Sequence, residues 1–336
     1  MTQPEPGETV DQQPEPVETV DQQPEPVEAV DQEYDEFGFL ERYAAHEGIE
    51  WHGRPAVRRE SASVRAGRLS GLVWGTDPPE LAFLHGAGQN AHTWDSVAMA
   101  LDRPAIAIDL PGHGHSDWRA DQDYRPPANA ASIGEWLDRL GGAPRAAVGM
   151  SLGGLTAICL AAASDTALTC VVVIDVTPGS MTRGPQRVQQ REGAVGLIGG
   201  QRTFATFDEM LAATAARAPG RPVESLRPGI LHNARRLDDG RWAWRYDQEG
   251  FGQPGSADAR ESLAGRLWDD LSRISVPVML VRGGRSGVVA DEDRSEFLRR
   301  QPGARVEVVD GAGHAVQSDR AVRLAELISD FTDSAR

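Results

Sequence analysis

The 336-residue chain contains no lysine; all 34 of its basic residues are arginine. A Schiff-base nucleophile and the lysine of a Walker-type phosphate loop are therefore excluded. Cysteine is nearly as scarce. Only Cys159 and Cys170 occur, each inside an apolar run ("AICLAAA", "TCVVVI"), which predicts two buried free thiols and no disulfide framework. No apolar stretch is long enough to span a bilayer, and the opening "MTQPEPGETV" has neither a cationic start nor an apolar signal core. A soluble, cytoplasmic protein without membrane insertion is expected. A basic field is missing too. The formal charge is −16, yet twelve of the 50 acidic residues fall in residues 1–36, where no basic residue occurs, so the rest of the chain is close to neutral. Nothing in that balance would steer nucleic acid.

What is present divides into four stretches. Residues 3–32 repeat with period ten ("QPEPGETVDQ", "QPEPVETVDQ", "QPEPVEAVDQ"). Alternating prolines prevent helix, and one or two valines per unit bury too little to offset ordering entropy, so residues 1–36 are expected to be a solvated, extended tail. From about Val64 onward, short β-type runs alternate with amphipathic ones. "LSGLVWG", "ELAFLH", "PAIAIDL", "RAAVGM", "LTCVVVID", "VPVMLVRG" and "ARVEVVD" are the strands, several of them apolar throughout, as strands covered on both faces should be. "TWDSVAMALD", "ASIGEWLDRL" and "RAVRLAELISDF" are helical between them. The alternation predicts an α/β fold with a mostly parallel sheet flanked by helices, its core formed by residues 37–178 and 263–336. Residues 179–262 show no β-type run but carry "FDEMLAATAARA" and "VESLRPGILHNARRL", and are expected to form an inserted helical cap. Trp242 or Trp244 could line a cavity there or pack in the core.

The chemistry is concentrated in "AVGMSLGGLTA". Ser151 follows a strand and precedes a good helix, a turn tight enough to force strained angles on the serine, and Gly149 and Gly153 remove side chains that would clash. The helix N-terminus then points its free N–H groups at any developing negative charge. Such a serine needs a base. Of eight histidines, His314 in "VVDGAGHAV" lies in a glycine-rich loop after the last strand and would project from the same sheet edge. His46 and His52 precede the sheet, His232 lies in the insert, His85, His113 and His115 are placed in loops to shape the site or bond backbone, and His92 begins or precedes a helix. The oxyanion needs two donors, for which the amides of Leu152 and of Ala87 in "FLHGAGQN" are the candidates.

"FLHGAGQN", "DLPGHGHSD", "GMSLGG" and "DGAGHAV", in that order, resemble the α/β-hydrolase fold over residues 62–335. The resemblance implies a nucleophile after strand five, an acid after strand six or seven, a histidine after strand eight and often a cap inserted after strand six. The usual acid after strand seven is absent, because "LVRGGRSGVV" has Ser286 where Asp is common. Asp175, at the end of "CVVVID", is available after strand six, an arrangement similar to that of small bacterial carboxylesterases with a serine beside the histidine. In that reading Asp175 is the acid, rather than Asp291 or Glu292, and Ser286 either assists or is a turn residue. The implied function is hydrolysis of a small-to-medium carboxylic ester through an acyl-enzyme, with no cofactor and no metal. Thioester, lactone or carbon–carbon hydrolysis and cofactor-free haloperoxidation could use the same residues, and a non-enzymatic ligand-binding scaffold is the remaining alternative.

Overall fold

A computed structural model describes residues 34–140, 144–163, 167–182, 200–217, 222–252 and 256–335, so the decapeptide repeats lie outside the described residues. The chain divides into two units, 1–34 and 35–336, and the second carries all the architecture that follows. After a short helix α1 (Leu40–Glu47), strands β1 (Val57–Val64), β2 (Gly67–Trp74) and β3 (Leu81–Leu84) lead to α2 (Asp95–Leu101). Then come β4 (Ala105–Asp109), α3 (Pro126–Leu137), β5 (Ala146–Met150), α4 (Leu152–Ala161) and β6 (Cys170–Ile174). The insert contains β7 (Thr203–Phe204), α5 (Phe207–Ala215), α6 (Val223–Asn233), β8 (Ala234–Arg236), β9 (Trp242–Trp244) and α7 (Gln248–Gly252). The chain closes with α8 (Ala257–Arg273), β10 (Val278–Gly283), α9 (Asp291–Arg300), β11 (Arg305–Val309), α10 (Val316–Asp319) and α11 (Ala321–Ser334).

Eight strands form the main sheet in the order β1-β2-β4-β3-β5-β6-β10-β11, antiparallel at β1-β2-β4 and parallel from β4 onward. The seven apolar runs read from the sequence are strands β2 to β6, β10 and β11. Their side chains alternate between two buried clusters, as a period of two requires. Ala82, Leu84, Ile106, Ile108, Val171 and Val173 face Ile133, Leu155, Ile158 and Leu267 from α3, α4 and α8. Leu81, Phe83, Val148, Val172 and Ile174 face Trp94, Val97, Leu324 and Ile328 on the other side. This double burial is why the inner strands β3, β5 and β6 carry no polar face, whereas β11, at the sheet edge, keeps Arg305 and Glu307. The edge strand β1, "VRRESASV", is mostly polar and was not legible as a strand; its pairing with β2 supplies what its side chains do not.

Besides the helices α5, α6 and α7, the insert holds β-structure that the sequence did not show: β7, β9 and β8 form a small antiparallel sheet. "WAW" is too short to show a period, and "HNARRL", read as the end of a helix, becomes strand from Ala234. The expected boundary at 262 also moves: α8 begins at Ala257 as one continuous helix whose Leu267 and Leu271 belong to the main core. Of the two thiols, Cys170 is buried but Cys159 is only partly so, with Sγ 3.7 Å from Asp270 Oδ2. Among the described residues, no helix is long and apolar enough to cross a membrane.

Candidate active site

Ser151 sits where β5 turns directly into α4, with φ +53° and ψ −116°, a strained conformation for a residue with a side chain. Two close approaches impose that turn. A Cβ on Gly149 would lie 2.1 Å from the Gly153 carbonyl oxygen, and one on Gly153 would lie 2.1 Å from that of Leu84. The Ser151 amide donates to Ile174 O (3.1 Å), so the serine is fixed beside the end of β6. Leu152 opens α4, and its amide has no carbonyl one helical turn earlier to bond.

Asp175 follows β6 with φ +49°, a left-handed conformation that aspartate tolerates better than most residues. It is 1% exposed and accepts three hydrogen bonds. His314 Nδ1 donates to Oδ2 (2.7 Å), the Ser286 hydroxyl donates to the same oxygen (2.5 Å), and the Gly283 amide donates to Oδ1 (3.0 Å). The loops after β10 and β11 are knitted to make this possible. Gly284 N bonds Val309 O and Arg285 N bonds Ala312 O, both at 2.9 Å, while a Cβ on Gly283 would lie 2.1 Å from Gly313 O. Because Nδ1 carries the proton given to Asp175, Nε2 of a neutral His314 is an acceptor. That nitrogen is buried and has no hydrogen-bond partner among the described residues. Asp291 and Glu292 instead open α9, where Asp291 is 90% exposed and pairs with Arg282 (3.2 Å).

The loop of residues 85–89 lies over Ser151: a Cβ on Gly86 would be 3.3 Å from Ser151 Cβ. Gly86 N donates to Gln89 Oε1 (2.9 Å), Gly88 N to His113 Nε2 (2.9 Å) and Gln89 N to Gly86 O (3.2 Å). Of these successive amides, only that of Ala87 has no acceptor among the described residues. Its peptide plane is held from the opposite end, since His85 Nδ1 donates to Gly86 O (2.8 Å) while Nε2 accepts from Leu110 N (2.9 Å). These bonds require a neutral ring. Burial pushes His85 down to about 4, against the pull of Asp109, and lowers His113 well below its ordinary value. Both histidines are thus backbone clamps, as expected.

Three further supports were missed in the sequence. Asn233, at the end of insert helix α6, donates to Gly88 O (2.6 Å). Gln317, just beyond His314, donates to Thr93 Oγ1 (3.1 Å) and reaches Gln89 Oε1 (3.4 Å), joining the two loops. Asp109 accepts from Ala91 N (2.7 Å), His115 N (3.0 Å) and Arg59 (2.7 Å), tying both neighbouring loops to one buried carboxylate. No local pattern marks an amide whose partner lies 145 residues away. Only the position of Asp109 at the end of "AIAID", on the sheet edge, could have pointed to it.

One further cluster, His92, Asp95 and His232, has the spacing of a metal site. The imidazoles are stacked with centroids 3.8 Å apart and planes 11° apart, so their in-plane lone pairs cannot converge on one ion. His92 is already bonded at both nitrogens, to Asp95 (2.9 Å) and Glu36 (3.2 Å). Burial opposes its charge, but those carboxylates outweigh it and hold the ring up to about 9. It is an imidazolium in an ion cluster.

The sequence matches the Alpha/beta hydrolase family over residues 81–327. It is 45% identical over 302 residues to the esterase Rv0045c of Mycobacterium tuberculosis, covering 89% of this chain and 96% of that one. A solved structure of that esterase superposes with a TM-score of 0.75 at 43% identity, covering 89% and 99% of the two chains. A structure of E-2-(acetamidomethylene)succinate hydrolase gives 0.67 at 25% identity, covering 82% and 99%. The strained turn at Ser151, the parallel sheet beneath it and these likenesses agree, and the chain belongs to the alpha/beta hydrolase family, on its ester-hydrolase side.

Proposed function

We propose that this ester hydrolase cleaves a small-to-medium carboxylic ester through an acyl-enzyme formed on Ser151. His314 Nε2 takes the serine proton as Oγ attacks the carbonyl carbon, and returns it to the leaving alcohol. Asp175 holds the tautomer and stabilises the imidazolium, and Ser286 supports Asp175 by donating a hydrogen bond to its carboxylate. The amides of Ala87 and Leu152 receive the oxyanion, each worth about 3 kcal/mol in the transition state. Water, activated by the same histidine, then releases the acid. The observation that carries the reading is Asp175 Oδ2, shared at 2.7 Å with His314 and 2.5 Å with Ser286, while His314 Nε2 has no hydrogen-bond partner among the described residues. Residues 200–252 supply the cap, and a cytoplasmic setting completes the reading. A fluorophosphonate probe tests it: mass spectrometry should find the adduct on Ser151, and Ser151→Ala should lose both labelling and ester turnover. Labelling elsewhere, or turnover by Ser151→Ala, would reject it.

A further inference from the structure

Beside the proposed reaction centre, α1, the 88–93 turn, α6 and the start of α10 enclose a cavity of about 330 Å³, within the range of small-molecule sites. Gly88 and Gln317 set it against the loops of Ala87 and His314, and Gln89 carries its lining toward the nucleophile. A Cβ on Gly86 would lie 3.2 Å from Gln89 Oε1 and 3.3 Å from Ser151 Cβ, so the thickness of Gly86 separates that lining side chain from the serine. The wall supplied by α6 and β9 is apolar, with Leu226, Ile230 and Trp244.

The charges around the cavity are mostly of one sign. Arg42 and His46, one helical turn apart on α1, line it together with Arg217, just beyond α5, and His92, whereas Glu47 is the acidic side chain in that lining. His92 is an imidazolium already met by Asp95 and Glu36. Burial pushes the Glu47 carboxyl up, against the pull of His46 and Arg320. Arg42 donates to Glu224 O (3.1 Å), an uncharged partner, and neither Arg42 nor Arg217 has an ion pair among the described residues. An arginine cannot give up its charge, so both guanidiniums, at exposed positions, keep a positive field at the rim of the cavity. A carboxylate that reaches either one makes a charge-assisted contact. Helix α6 gives the reach. Its Glu224 end meets Arg42 and its Asn233 end meets Gly88, and the helix rises about 13 Å between them. An apolar arm laid along Leu226 and Ile230 therefore carries a charge from the catalytic loops to the rim.

We infer that this cavity is a substrate subsite, and that the preferred ester carries a carboxylate at the far end of an apolar arm, as a half-ester of a dicarboxylic acid does. The inference rests on the ester-hydrolase reading above and adds the substrate class to it. The apolar wall takes the arm and the two arginines take the carboxylate, whereas a neutral ester of the same shape fills the wall and leaves the guanidiniums to water.

The test uses the full chain and ethyl half-esters of dicarboxylic acids of graded length, each paired with the ester whose free carboxylate is replaced by the isosteric carboxamide, with acid release followed by titration. A second series places the carboxylate or carboxamide on the alcohol portion of acetate esters, and the series in which the preference appears tells which half of the ester the cavity holds. In at least one series, at one arm length, the carboxylate ester should exceed its carboxamide in kcat/KM by about tenfold, a modest factor because the arginines are partly solvated. Arg42→Gln and Arg217→Gln, both at exposed positions, should each reduce that ratio, and the double variant should bring it to about one, whatever happens to the absolute rates. Equal rates for carboxylate and carboxamide esters throughout both series in the native chain, or faster carboxamides, would overturn the inference. So would a ratio that survives the double substitution. If neutral esters are hydrolysed and Ser151→Ala is inactive, that failure belongs to the subsite alone; turnover by Ser151→Ala would remove the ester-hydrolase reading itself.

Discussion

At Asp175 one buried carboxylate orients a histidine, accepts a serine hydroxyl and caps an amide at the end of β10. Asp175→Asn keeps the shape but offers the ring a donor or the wrong tautomer, and should lower kcat by about four orders of magnitude. Ser286→Ala removes one hydrogen bond to that carboxylate, worth about 1.5 kcal/mol, and should slow turnover about tenfold. Asp291→Asn, at an exposed helix start, should be close to normal. Single-turnover rates on the three purified variants check this ordering; an active Asp175→Asn beside an inactive Asp291→Asn would move the acid to the loop after β10. His85 belongs to the same scale. His85→Leu frees the Gly86 carbonyl and the Leu110 amide, and should lower kcat more than it raises KM, because a misaimed Ala87 amide is felt chiefly in the transition state.

Among elements, the turn at residues 91–94 and the end of α6 meet at the stacked pair His92 and His232. The carboxylates of Asp95 and Glu36 hold His92 at about 9, above its ordinary 6.5, so the folded state binds its proton more tightly than the unfolded chain. This stabilisation is complete below pH 6.5 and is lost as pH rises through 9. His85 and His115 have the opposite sign. Burial lowers both to about 4, aided at His115 by Arg59 and Arg245, so stability falls as pH drops from 6.5 toward 4, where only the unfolded chain gains those protons. Denaturation midpoints at a series of pH values should therefore peak near pH 6 to 7, and His92→Gln should flatten the alkaline limb while sparing the acid one. A midpoint that climbs steadily to pH 9 would contradict the assignment. In the insert, Trp244 lines the cavity beside the active-site loops, whereas Trp242 packs edge-on against Phe207. Met210 and Leu211, buried in α5, are not among the residues lining that cavity. Changing Trp244 to Ala should therefore alter the preference among esters of different acyl length more than Met210→Ala, which should mainly lower the melting temperature.

For the whole molecule, the boundary of the N-terminal segment matters. Composition puts its end at residue 36, yet Glu36 pairs with Arg59 (2.6 Å) and His92 (3.2 Å), and Phe37 packs on the core. Burial opposes the Glu36 charge, but these partners hold its carboxyl well below the usual range. The folded body thus begins before the composition changes, because a carboxylate paired inside the structure looks like any other acid in an acidic run. Removing residues 1–32 should leave kcat/KM on a small ester within about threefold, since the repeats carry little apolar surface to dock. A chain starting at Phe37 should lose stability, because Arg59 and His92 would be left buried without their shared carboxylate. Melting curves of the two truncations decide this, and equal midpoints would return the boundary to 36.

The sequence by itself determined the architecture and the order of the chemical groups. Double-sided burial forces apolar strands, and a tight strand-to-helix turn forces glycines around Ser151, so both leave local marks. That Asp175, His314 and Ser286 meet could be expected for the same reason: each lies within five residues of the end of a recognisable strand, and parallel strands deliver their ends to one edge. Tertiary structure alone decided which groups support them. Asn233, Gln317 and Asp109 act through single hydrogen bonds to distant loops, and the strands β1, β7, β8 and β9 are held by pairing rather than by a buried face. A hydrogen bond across the fold constrains two side chains without requiring any pattern in the residues beside them, so it appears only when the chain is folded.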